Sequence, residues 1–227
     1  MTVLQNVRVE VSGLLFDMDG VLMSSLGSVE RSWSKFAELH GIDPQRTIQV
    51  AHGRRAMETI QMLLPHVDAA KELRVIEQLE VEDTEGLILL PGVLDLLRSL
   101  PADAWTIVTS ATARLAESRL ACAGITPPAR FITSEMVANG KPHPEPYQRG
   151  AELLGLAPQD CLVIEDAPAG VAAGKAAGCS VLALLTTHAP ETLTAADWCI
   201  PTLADLRLET VLSAGQRGRL QFSIAGR

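Results

Sequence analysis

Apolar side chains recur along this chain at two different spacings, and each spacing belongs to its own region. From about residue 24 to residue 87 the spacing is helical, and it predicts helices at 28–40, 55–64 and 68–85 without strands between them. Outside that region, short apolar runs alternate with helical stretches. The runs predict strands at 13–16, 105–109, 130–132, 161–164 and 181–185, with helices near 112–123, 145–154 and 168–177.

Strands that alternate with helices are typical of parallel βαβ units. The first predicted strand precedes the helical block and the others follow it. The pattern therefore predicts an α/β fold with a doubly wound, Rossmann-like parallel-sheet core at 1–23 and 88–227, and a helical cap domain at 24–87 inserted after strand one. The segment 219–224 is a candidate for an additional edge strand. Ligands bind at the carboxyl ends of such strands, so the residues after each strand are the candidates for function.

Two acidic residues, Asp17 and Asp19, follow the first predicted strand and precede Gly20. A turn after Asp17 would bring both carboxyl groups over one site, where they would repel each other unless they shared a proton or a cation. Because carboxylate oxygens are preferred ligands of Mg²⁺, one hypothesis is a magnesium site. The alternative is an ordinary turn, with an aspartate as a cap and the glycine at positive φ.

Hydroxyl groups and a lysine follow later strands. Thr109, Ser110 and Ala111 lie at a strand end, where hydroxyl and backbone N–H groups at the start of a helix would hold phosphoryl oxygens. The simpler alternative is that this segment only caps the helix. Lys141 lies between a glycine and a proline, in a segment that cannot be helical, and a fixed cation there would offset the charge of a phosphate. A solvated surface lysine is the alternative.

A second acid pair, Glu165 and Asp166, follows another predicted strand, although the start of a helix would also favour acids there. The chain thus presents, in order, an acid pair, a hydroxyl group, a lysine and a second acid pair at the strand ends of one α/β core. This order resembles that of the haloacid dehalogenase-like superfamily. The resemblance extends over nearly the whole chain and is closest at 15–22, 140–147 and 165–178. These runs look like the sugar-phosphatase branch, which includes 2-deoxyglucose-6-phosphatases, hexitol or hexose phosphatases and glycerol-phosphate phosphatases.

The resemblance implies a Mg²⁺-dependent phosphatase that acts on a small phosphorylated sugar or polyol. By its motifs, Asp17 is the nucleophile that forms an aspartyl-phosphate, and Asp19 is the general acid and base. The metal would be held by the carboxylates of Asp17 and Asp166 and by the main-chain oxygen of Asp19. Glu165 would lie beside the metal, as a direct or water-mediated ligand.

Phosphate binding is assigned by the same resemblance. Ser110 would hydrogen-bond a phosphoryl oxygen, with Thr109 and Ala111 as further contacts of the substrate. Lys141 would act with the metal to offset the repulsion between an anionic nucleophile and an anionic phosphate.

The helical block is similar to the cap of that phosphatase branch. A cap would close over the leaving group, exclude water and recognise the sugar. The candidates for substrate binding are His52, Arg54 and Arg55, followed by Glu30 and Trp33. For each of them, helix packing or a solvated charge is an alternative.

Composition and charge narrow the range of partners. The chain has 227 residues, of which 47% are hydrophobic and 20% charged, as is typical of a globular protein. Its formal net charge of −8 repels nucleic acid and anionic membranes, so neither is expected as a partner. No apolar run approaches the ~20 residues of a membrane span, and no signal peptide is recognisable, so a cytoplasmic protein is expected. The oligomeric state is left open.

The four cysteines, Cys122, Cys161, Cys179 and Cys199, form no CxxC pair and match no metal motif. Cys161 and Cys179 lie in apolar runs. We therefore expect buried, reduced thiols.

Three other functions compete with a sugar phosphatase. A β-phosphoglucomutase-like mutase would share the cap and the motifs, but would return the phosphoryl group to a sugar. A dehalogenase would not need the acid that Asp19 supplies. A non-catalytic binding or regulatory protein could share the fold, but all five core residues of the motifs are present. Metal-dependent turnover of p-nitrophenyl phosphate distinguishes that last function from an enzyme.

Overall fold

The structure is a computed structural model that describes residues 7–212 and 219–224. Within these residues the strands are β1 (Val7–Val11), β2 (Gly13–Phe16), β3 (Met23–Ser24), β4 (Ile88–Leu89), β5 (Trp105–Ile107), β6 (Cys161–Glu165), β7 (Ser180–Leu184), β8 (Trp198–Ile200), β9 (Leu206–Leu212) and β10 (Arg219–Ile224). The α-helices are α1 (Leu26–His40), α2 (Pro44–Ala51), α3 (Ala56–Leu63), α4 (Ala69–Glu82), α5 (Val93–Ser99), α6 (Ala113–Cys122), α7 (Glu145–Leu154) and α8 (Pro168–Ala177).

Five strands form a parallel sheet in the order β5-β2-β6-β7-β8. Strand β2 lies inside it, with Leu14 opposite Trp105 of β5 and Leu162 of β6. Every residue of β2 is buried, as expected for a strand that is covered on both faces. Because successive side chains point to opposite faces, Leu14 and Phe16 pack into one apolar cluster and Leu15 into another. The predicted α/β fold with a parallel-sheet core is confirmed.

Helices cover both faces of the parallel sheet. Helices α7 and α8 contribute Tyr147 and Val171 to the cluster on one face. Helices α5 and α6 contribute Leu96 and Leu120 to the cluster on the other face. Since the strands are parallel, the loops that leave β2, β5 and β6 all start at the same edge of the sheet, which is where a ligand is expected.

Helices α1–α4, which we call the helical insert, lie between β3 and β4, two short strands that pair antiparallel. The insert has an apolar cluster of its own, in which the rings of Trp33 and Phe36 meet edge to face with centroids 5.4 Å apart. The division into a core domain and a cap domain at residues 24–87 stays a prediction, which this separate cluster supports.

Helix α2 is not predicted by the spacing of apolar residues, but its first turn has a clear sequence signal. The side chain of Asp43 accepts hydrogen bonds from the backbone N–H groups of Gln45 and Arg46. Pro44 occupies the first helical position, where its missing N–H is not needed. A capping aspartate followed by proline marks a helix start even when the helix is short.

A second sheet is antiparallel, with three strands in the order β1-β10-β9. The segment 219–224 is a strand, as expected, but the prediction that it is an edge strand is wrong. It is the middle strand of the three, with β9 on one side and β1 on the other, where Val9 lies opposite Phe222. Strand β1 is not predicted from the sequence, although its valines at positions 7, 9 and 11 alternate with charged residues.

The predicted strand at 130–132 is also wrong. Only Ile132 pairs with a neighbour, in an isolated bridge to Val108. The segment follows Pro127 and Pro128, and Arg130 is exposed, so little favours a longer pairing there.

Two further expectations concern the thiols and the membrane. All four cysteines are free thiols; Cys161 and Cys179 are buried, whereas Cys122 and Cys199 are exposed, so the expected burial is right for two of them and wrong for two. Among residues 7–212 and 219–224, none of the helices has the length and apolar composition needed to cross a membrane.

Candidate active site

The carboxyl ends of β2, β5 and β6 open into a cavity of about 410 Å³, whose wall also includes residues of the helical insert. Sequence-predicted site residues from both parts of the chain line it: Asp17, Asp19, His52, Arg54, Arg55, Thr109, Ser110, Ala111, Lys141, Glu165 and Asp166. Trp33 lines the cavity too, whereas Glu30 is exposed and is not part of the lining. The fold brings the candidates together, and their individual roles stay predictions.

Lys141 is buried at the centre of a hydrogen-bond network. Its Nζ donates to Oδ1 of Asp17 at 2.6 Å, to Oε1 of Glu165 at 2.7 Å and to the carbonyl oxygen of Val108 at 3.1 Å. Its side chain is only 4% exposed, so the alternative of a solvated surface lysine is wrong. Burial by itself would lower the pKa of Lys141, but the two carboxylates more than offset this effect and raise the pKa. The ammonium group is therefore a fixed positive charge.

Glu165 is buried, and its two oxygens are occupied by other parts of the protein. Oε1 accepts hydrogen bonds from Lys141 and, at 2.7 Å, from the hydroxyl group of Tyr147. Oε2 accepts from the backbone N–H groups of the next two residues at 2.9 and 3.1 Å. Burial would raise the pKa of Glu165, but Lys141 and these donors lower it. A Cβ atom at Gly170 would lie 1.7 Å from Oε1, so a glycine is required where the next helix passes this carboxylate.

Asp17 and Asp166 are buried acids, and burial disfavours the ionised form of each. Burial raises the pKa of Asp17 to about 7, against the opposing effect of Lys141. Burial also raises the pKa of Asp166, and the neighbouring carboxylates of Glu165 and Asp17 raise it further. Gly20, at a φ of +78°, lets the chain pass close to this site, because a Cβ atom there would lie 2.1 Å from Oδ2 of Asp166.

These acids form a group that fits a hard cation. Asp17, Glu165 and Asp166 each offer a carboxylate oxygen, and the three oxygens lie within 4.8 Å of one another. Three carboxylates and the single ammonium group of Lys141 leave two negative charges, which a divalent cation with oxygen ligands would offset. Since the oxygens of Glu165 already accept four hydrogen bonds, Asp17 and Asp166 are the better placed ligands.

The loop between β5 and α6 supplies hydroxyl groups. The side chain of Thr112 caps α6 by accepting from the N–H of Leu115, so helix capping falls to this residue. Thr109 Oγ1 accepts from the N–H of Ala111 at 3.1 Å, which fixes the loop. The hydroxyl group of Ser110 makes no hydrogen bond to any residue that the structure describes, and it is available to a ligand in the cavity.

Asp19 is bound by an arginine that the sequence reasoning does not single out. Arg119 of α6 donates from Nη1 to Oδ2 of Asp19 at 2.9 Å, and from Nη2 to Oε1 of Glu80 in α4 at 3.1 Å. Arg119 and Glu80 are both buried. Helical spacing could have indicated that both side chains are buried. Arg119 lies four residues after the buried Leu115, and Glu80 lies four residues after the buried Ile76, so each is on the buried face of its helix. Charges on the buried faces of amphipathic helices need a partner.

Arg55 joins the helical insert to the core, on the side of the cavity where Lys141 enters. Its guanidinium group donates to the carbonyl oxygens of Val137 and Ala138, each at 3.0 Å, and it also contacts Glu58. The side chain crosses Gly140, where a Cβ atom would lie 2.7 Å from Nε of Arg55. All these contacts are with the protein, so they favour a role in holding the insert against the core over a role in binding a sugar.

The other two substrate contacts predicted in the helical insert, Arg54 and His52, have polar groups without a hydrogen-bond partner among the described residues. Arg54 is exposed at the cavity, and its side chain makes no hydrogen bond within the described ranges. Nε2 of His52 is buried and lacks a hydrogen-bond partner among the described residues. Burial lowers the pKa of His52, and the nearby His188 lowers it further, so the neutral imidazole is favoured. Both side chains remain candidates for contact with a substrate.

Comparisons with known proteins show what this chain is similar to in sequence. The family model for haloacid dehalogenase-like hydrolases matches residues 11–178. Over 177 residues the chain is 45% identical to hexitol phosphatase A of Escherichia coli (strain K12), an alignment that covers 76% of this chain and 82% of that protein. Over 193 residues it is 37% identical to glycerol-1-phosphate phosphohydrolase 2 of Saccharomyces cerevisiae, covering 80% of this chain and 77% of that protein.

The fold is likewise shared with solved structures. The crystal structure of a β-phosphoglucomutase from Clostridium difficile matches with a TM-score of 0.76. The match covers 88% of this chain and 94% of that chain, at 24% sequence identity. At that identity the likeness shows the fold alone.

Proposed function

Because this chain belongs to the haloacid dehalogenase-like hydrolase family, we propose that it is a phosphatase that releases phosphate from a small sugar or polyol phosphate with the help of Mg²⁺. The observation that carries the proposal is the contact between Asp17 and Lys141, a buried carboxylate 2.6 Å from a buried ammonium group, beside two further carboxylates. A nucleophile, a fixed positive charge and a metal-binding cluster are together what phosphoryl transfer requires.

The substrate class is supported by the relatives and by the cavity. The two relatives named above are, by name, phosphatases of a hexitol phosphate and of glycerol 1-phosphate. A volume of about 410 Å³ is within the ~300–1,000 Å³ that sites for small ligands occupy. His52, Arg54 and Ser110 also line the cavity, and their polar groups can hydrogen-bond the hydroxyl groups of a sugar or polyol.

Mg²⁺ fits the carboxylate cluster, in which Asp17 and Asp166 would be its protein ligands. By the motifs of the family, the main-chain oxygen of Asp19 would be a third ligand. When bound, it would supply positive charge that offsets the charge of the phosphoryl group and lowers the pKa of Asp17. Glu165 would act by holding Lys141, since its oxygens already accept hydrogen bonds from Lys141, Tyr147 and two backbone N–H groups.

In the first step, a carboxylate oxygen of Asp17 attacks the phosphorus atom. The bond between phosphorus and the sugar oxygen breaks, and the leaving alkoxide takes a proton from the carboxyl group of Asp19. Lys141 stays beside Asp17 and holds positive charge close to the phosphoryl oxygens, and the free hydroxyl group of Ser110 donates a hydrogen bond to one of them. The product of this step is an aspartyl-phosphate at Asp17 and a free sugar or polyol.

In the second step, water attacks the phosphorus atom of the aspartyl-phosphate. Asp19, now ionised, accepts a proton from that water, and the bond between phosphorus and Asp17 breaks. Inorganic phosphate leaves, Asp17 is again a carboxylate, and Asp19 is again protonated for the next turnover.

The helical insert would bind the part of the substrate that leaves. Arg54 is the side chain best placed for this, because it is exposed to the cavity and its donors are free of partners in the described part of the chain. Arg55 would hold the insert in position through its contacts with the carbonyl oxygens of the core. His52 would offer one ring nitrogen to a hydroxyl group.

The experiment that tests the proposal is release of inorganic phosphate from a panel of phosphomonoesters, with Mg²⁺ and with a chelator. The panel contains hexitol 6-phosphates, glucose 6-phosphate, 2-deoxyglucose 6-phosphate, fructose 1-phosphate, glycerol 1-phosphate and, as an anionic comparison, phosphoglycolate. We expect Mg²⁺-dependent release from at least one neutral sugar or polyol phosphate, with phosphoglycolate a poor substrate. The Asp17→Asn variant is the control for contaminating phosphatases.

Two results would contradict the proposal. Conversion of β-glucose 1-phosphate to glucose 6-phosphate that is faster than phosphate release would identify a mutase. A lack of Mg²⁺-dependent turnover of every panel member and of p-nitrophenyl phosphate would identify a non-catalytic protein.

A further inference from the structure

A continuous chain of charged groups connects the helical insert to Asp19. Glu80 belongs to α4 of the insert, Arg119 to α6 of the core, and Asp19 to the loop after β2. One guanidinium group joins the two carboxylates, at 3.1 Å to Glu80 and 2.9 Å to Asp19. The side chain of Arg119 is 3% exposed and that of Glu80 is 7% exposed, so this contact lies inside the interface and not at its rim.

The contact leaves Asp19 with one fixed and one free oxygen. Oδ2 is held by Arg119, while Oδ1 is buried and has no hydrogen-bond partner among the described residues. Asp19 lines the cavity, and of its two oxygens Oδ1 retains its hydrogen-bonding capacity, which is what a substrate would use. A carboxyl group that is fixed through one oxygen loses rotational freedom about its side-chain bonds, and this brings the other oxygen to a defined place.

Stability alone does not account for this arrangement. Removing the charges of Arg119 and Glu80 from water is expensive, and apolar residues of similar size usually serve a buried interface as well or better. The same interface contains polar pairs nearer its rim, where Arg114 donates to Glu77 at 3.0 Å and to Gln78 at 2.5 Å. Those pairs join α4 to α6 through a guanidinium group that stays half exposed, unlike that of Arg119. Of these two arginines, Arg119 alone carries the connection on to an acid of the site.

We propose that Arg119 is a positioning residue, which orients the carboxyl group of Asp19 toward the leaving oxygen of the substrate and is itself oriented by Glu80. The proposal rests on the proposed function, because it assigns a partner to the acid of that reaction. Arg119 suits the role because its planar guanidinium group binds two carboxylates in fixed directions, which a lysine cannot do. It also follows that Asp19 is oriented fully only while α4 of the insert lies against α6.

The test compares two leaving groups in matched variants. The substrates are p-nitrophenyl phosphate, whose leaving group needs no proton, and whichever of glycerol 1-phosphate, glucose 6-phosphate and sorbitol 6-phosphate the wild-type protein hydrolyses fastest. The variants are Arg119→Lys and Glu80→Gln, with Arg114→Gln as control, since Arg114 lies on the same helix and contacts α4 without reaching Asp19. Thermal unfolding of each variant shows whether it is folded.

In single-turnover reactions we expect Arg119→Lys to slow release of the alcohol from the alkyl phosphate by about 10- to 100-fold, as for a catalytic group displaced by about 1 Å. Release of p-nitrophenol in the same kind of reaction should change by less than about threefold, because that leaving group needs no proton from Asp19 and the later step, in which Asp19 is the base, is not measured. Glu80→Gln should lower the ratio of the two rates in the same direction by about threefold or more, since it replaces a charged acceptor by a neutral one. Arg114→Gln should leave the ratio unchanged.

A second measurement separates positioning from a structural role. In single-turnover reactions with enzyme in excess, Arg119→Lys should have little further effect on the alkyl phosphate once Asp19 is Asn, because the two substitutions remove the same contribution. Equal losses on both substrates, or losses that add in the Asp19→Asn background, would overturn the proposal. If Arg119→Lys does not fold, Glu80→Gln provides the test instead. A ratio of the alkyl phosphate rate to the p-nitrophenyl phosphate rate that is unchanged in Glu80→Gln would also overturn the proposal. A wild-type protein inactive on every substrate would instead refute the proposed function.

Discussion

The ammonium nitrogen of Lys141 lies 2.6 Å from Oδ1 of Asp17, although the two residues are 124 positions apart in the chain. Glu165 holds the same nitrogen from the other side at 2.7 Å. The lysine therefore has little freedom to move, and the charge that faces Asp17, the proposed nucleophile, is fixed before a substrate binds. Preorganised charge of this kind lowers the barrier to a reaction in which charge develops, because no reorganisation is needed when the bond forms.

Asp17→Asn should abolish turnover without unfolding the protein. The amide keeps the size of the side chain but is a poor nucleophile, so we expect kcat on p-nitrophenyl phosphate to fall by ~10³-fold or more. The melting temperature in the absence of divalent cations should stay the same or rise, because burial raises the pKa of Asp17 to about 7 and so disfavours its charged form. Activity above one tenth of the wild-type value would show that Asp17 is not the nucleophile.

Asp19→Ala should affect substrates according to their leaving groups. Its side chain is the proposed acid, whereas the metal would contact only its main-chain oxygen, so the nucleophile and the metal site should survive. We expect turnover of an alkyl phosphate to fall by roughly 10²–10⁴-fold. Release of p-nitrophenol from p-nitrophenyl phosphate in the first step should be slowed much less, because that leaving group needs no proton. The two rate constants, measured under single-turnover conditions, check the assignment; equal losses in the first step would remove Asp19 from the role of acid.

The acids and the lysine of the site could be predicted from the sequence because each follows a strand or a short loop in a recognisable order. Asp17 and Asp166 come at the ends of apolar runs that a parallel sheet brings to one edge. Strand β2 was recognised for the same reason, since a buried central strand is a continuous apolar run. Patterns that are local in the chain are sufficient for such residues.

The contact of Arg119 with Asp19 and Glu80 could not be derived in the same way. Arg119 is 100 residues from Asp19 and 39 from Glu80, and the three meet only because α4 packs on α6. Helical spacing places Arg119 on a buried face but does not say which carboxylate it meets. The same limit applies to Arg55, whose carbonyl partners lie in a loop about 80 residues away, with separations of 82 and 83. These pairings depend on how two packed parts of the chain approach each other.

The buried and the exposed thiols should differ sharply in their reactivity at pH 8. Burial raises the pKa of Cys161 and of Cys179 to about 12, so at pH 8 very little of either is the reactive thiolate. Ellman's reagent at pH 8 should therefore react rapidly with the exposed thiol of Cys122 and more slowly with that of Cys199, whose pKa burial also raises, and it should react with the buried pair only after denaturation. The Cys122→Ser, Cys199→Ser double variant should lose the rapid reaction, and rapid labelling of that variant would contradict the prediction.

The same raised pKa values set the direction of a stability change in alkali. An unfolded thiol loses its proton near its ordinary pKa of about 8.5, while the buried thiols of Cys161 and Cys179 keep theirs up to a pKa of about 12. Between these values the folded protein binds more protons than the unfolded protein, so the free energy of unfolding falls as pH rises. Urea unfolding at pH 8 and pH 10 checks this, and Cys161→Ala should reduce the difference.

Arg54 and Arg55 are adjacent in the chain, but the structure predicts different consequences for their removal. Arg54 is exposed to the cavity with free donors, whereas Arg55 is bound to core carbonyl oxygens and to Glu58. If Arg54 contacts the leaving sugar or polyol, Arg54→Ala removes hydrogen bonds from a charged donor. Such bonds contribute ~1.5–3 kcal/mol, which is about 10- to 150-fold in kcat/KM. Turnover of p-nitrophenyl phosphate should hardly change, because that substrate has no hydroxyl groups to bind.

Arg55→Ala should instead lower turnover of both substrates. Its guanidinium group fixes the backbone at Val137 and Ala138, and its side chain crosses Gly140, the residue before Lys141. Loss of these contacts would loosen both the position of the insert and the loop that carries the lysine, which matters for any phosphomonoester. Arg55→Lys should recover little, since an ammonium group cannot donate to two carbonyl oxygens in the directions that the guanidinium group does. The opposite result, a selective loss on the sugar phosphate for Arg55→Ala and none for Arg54→Ala, would assign recognition to Arg55 and would require its side chain to leave the core when substrate binds.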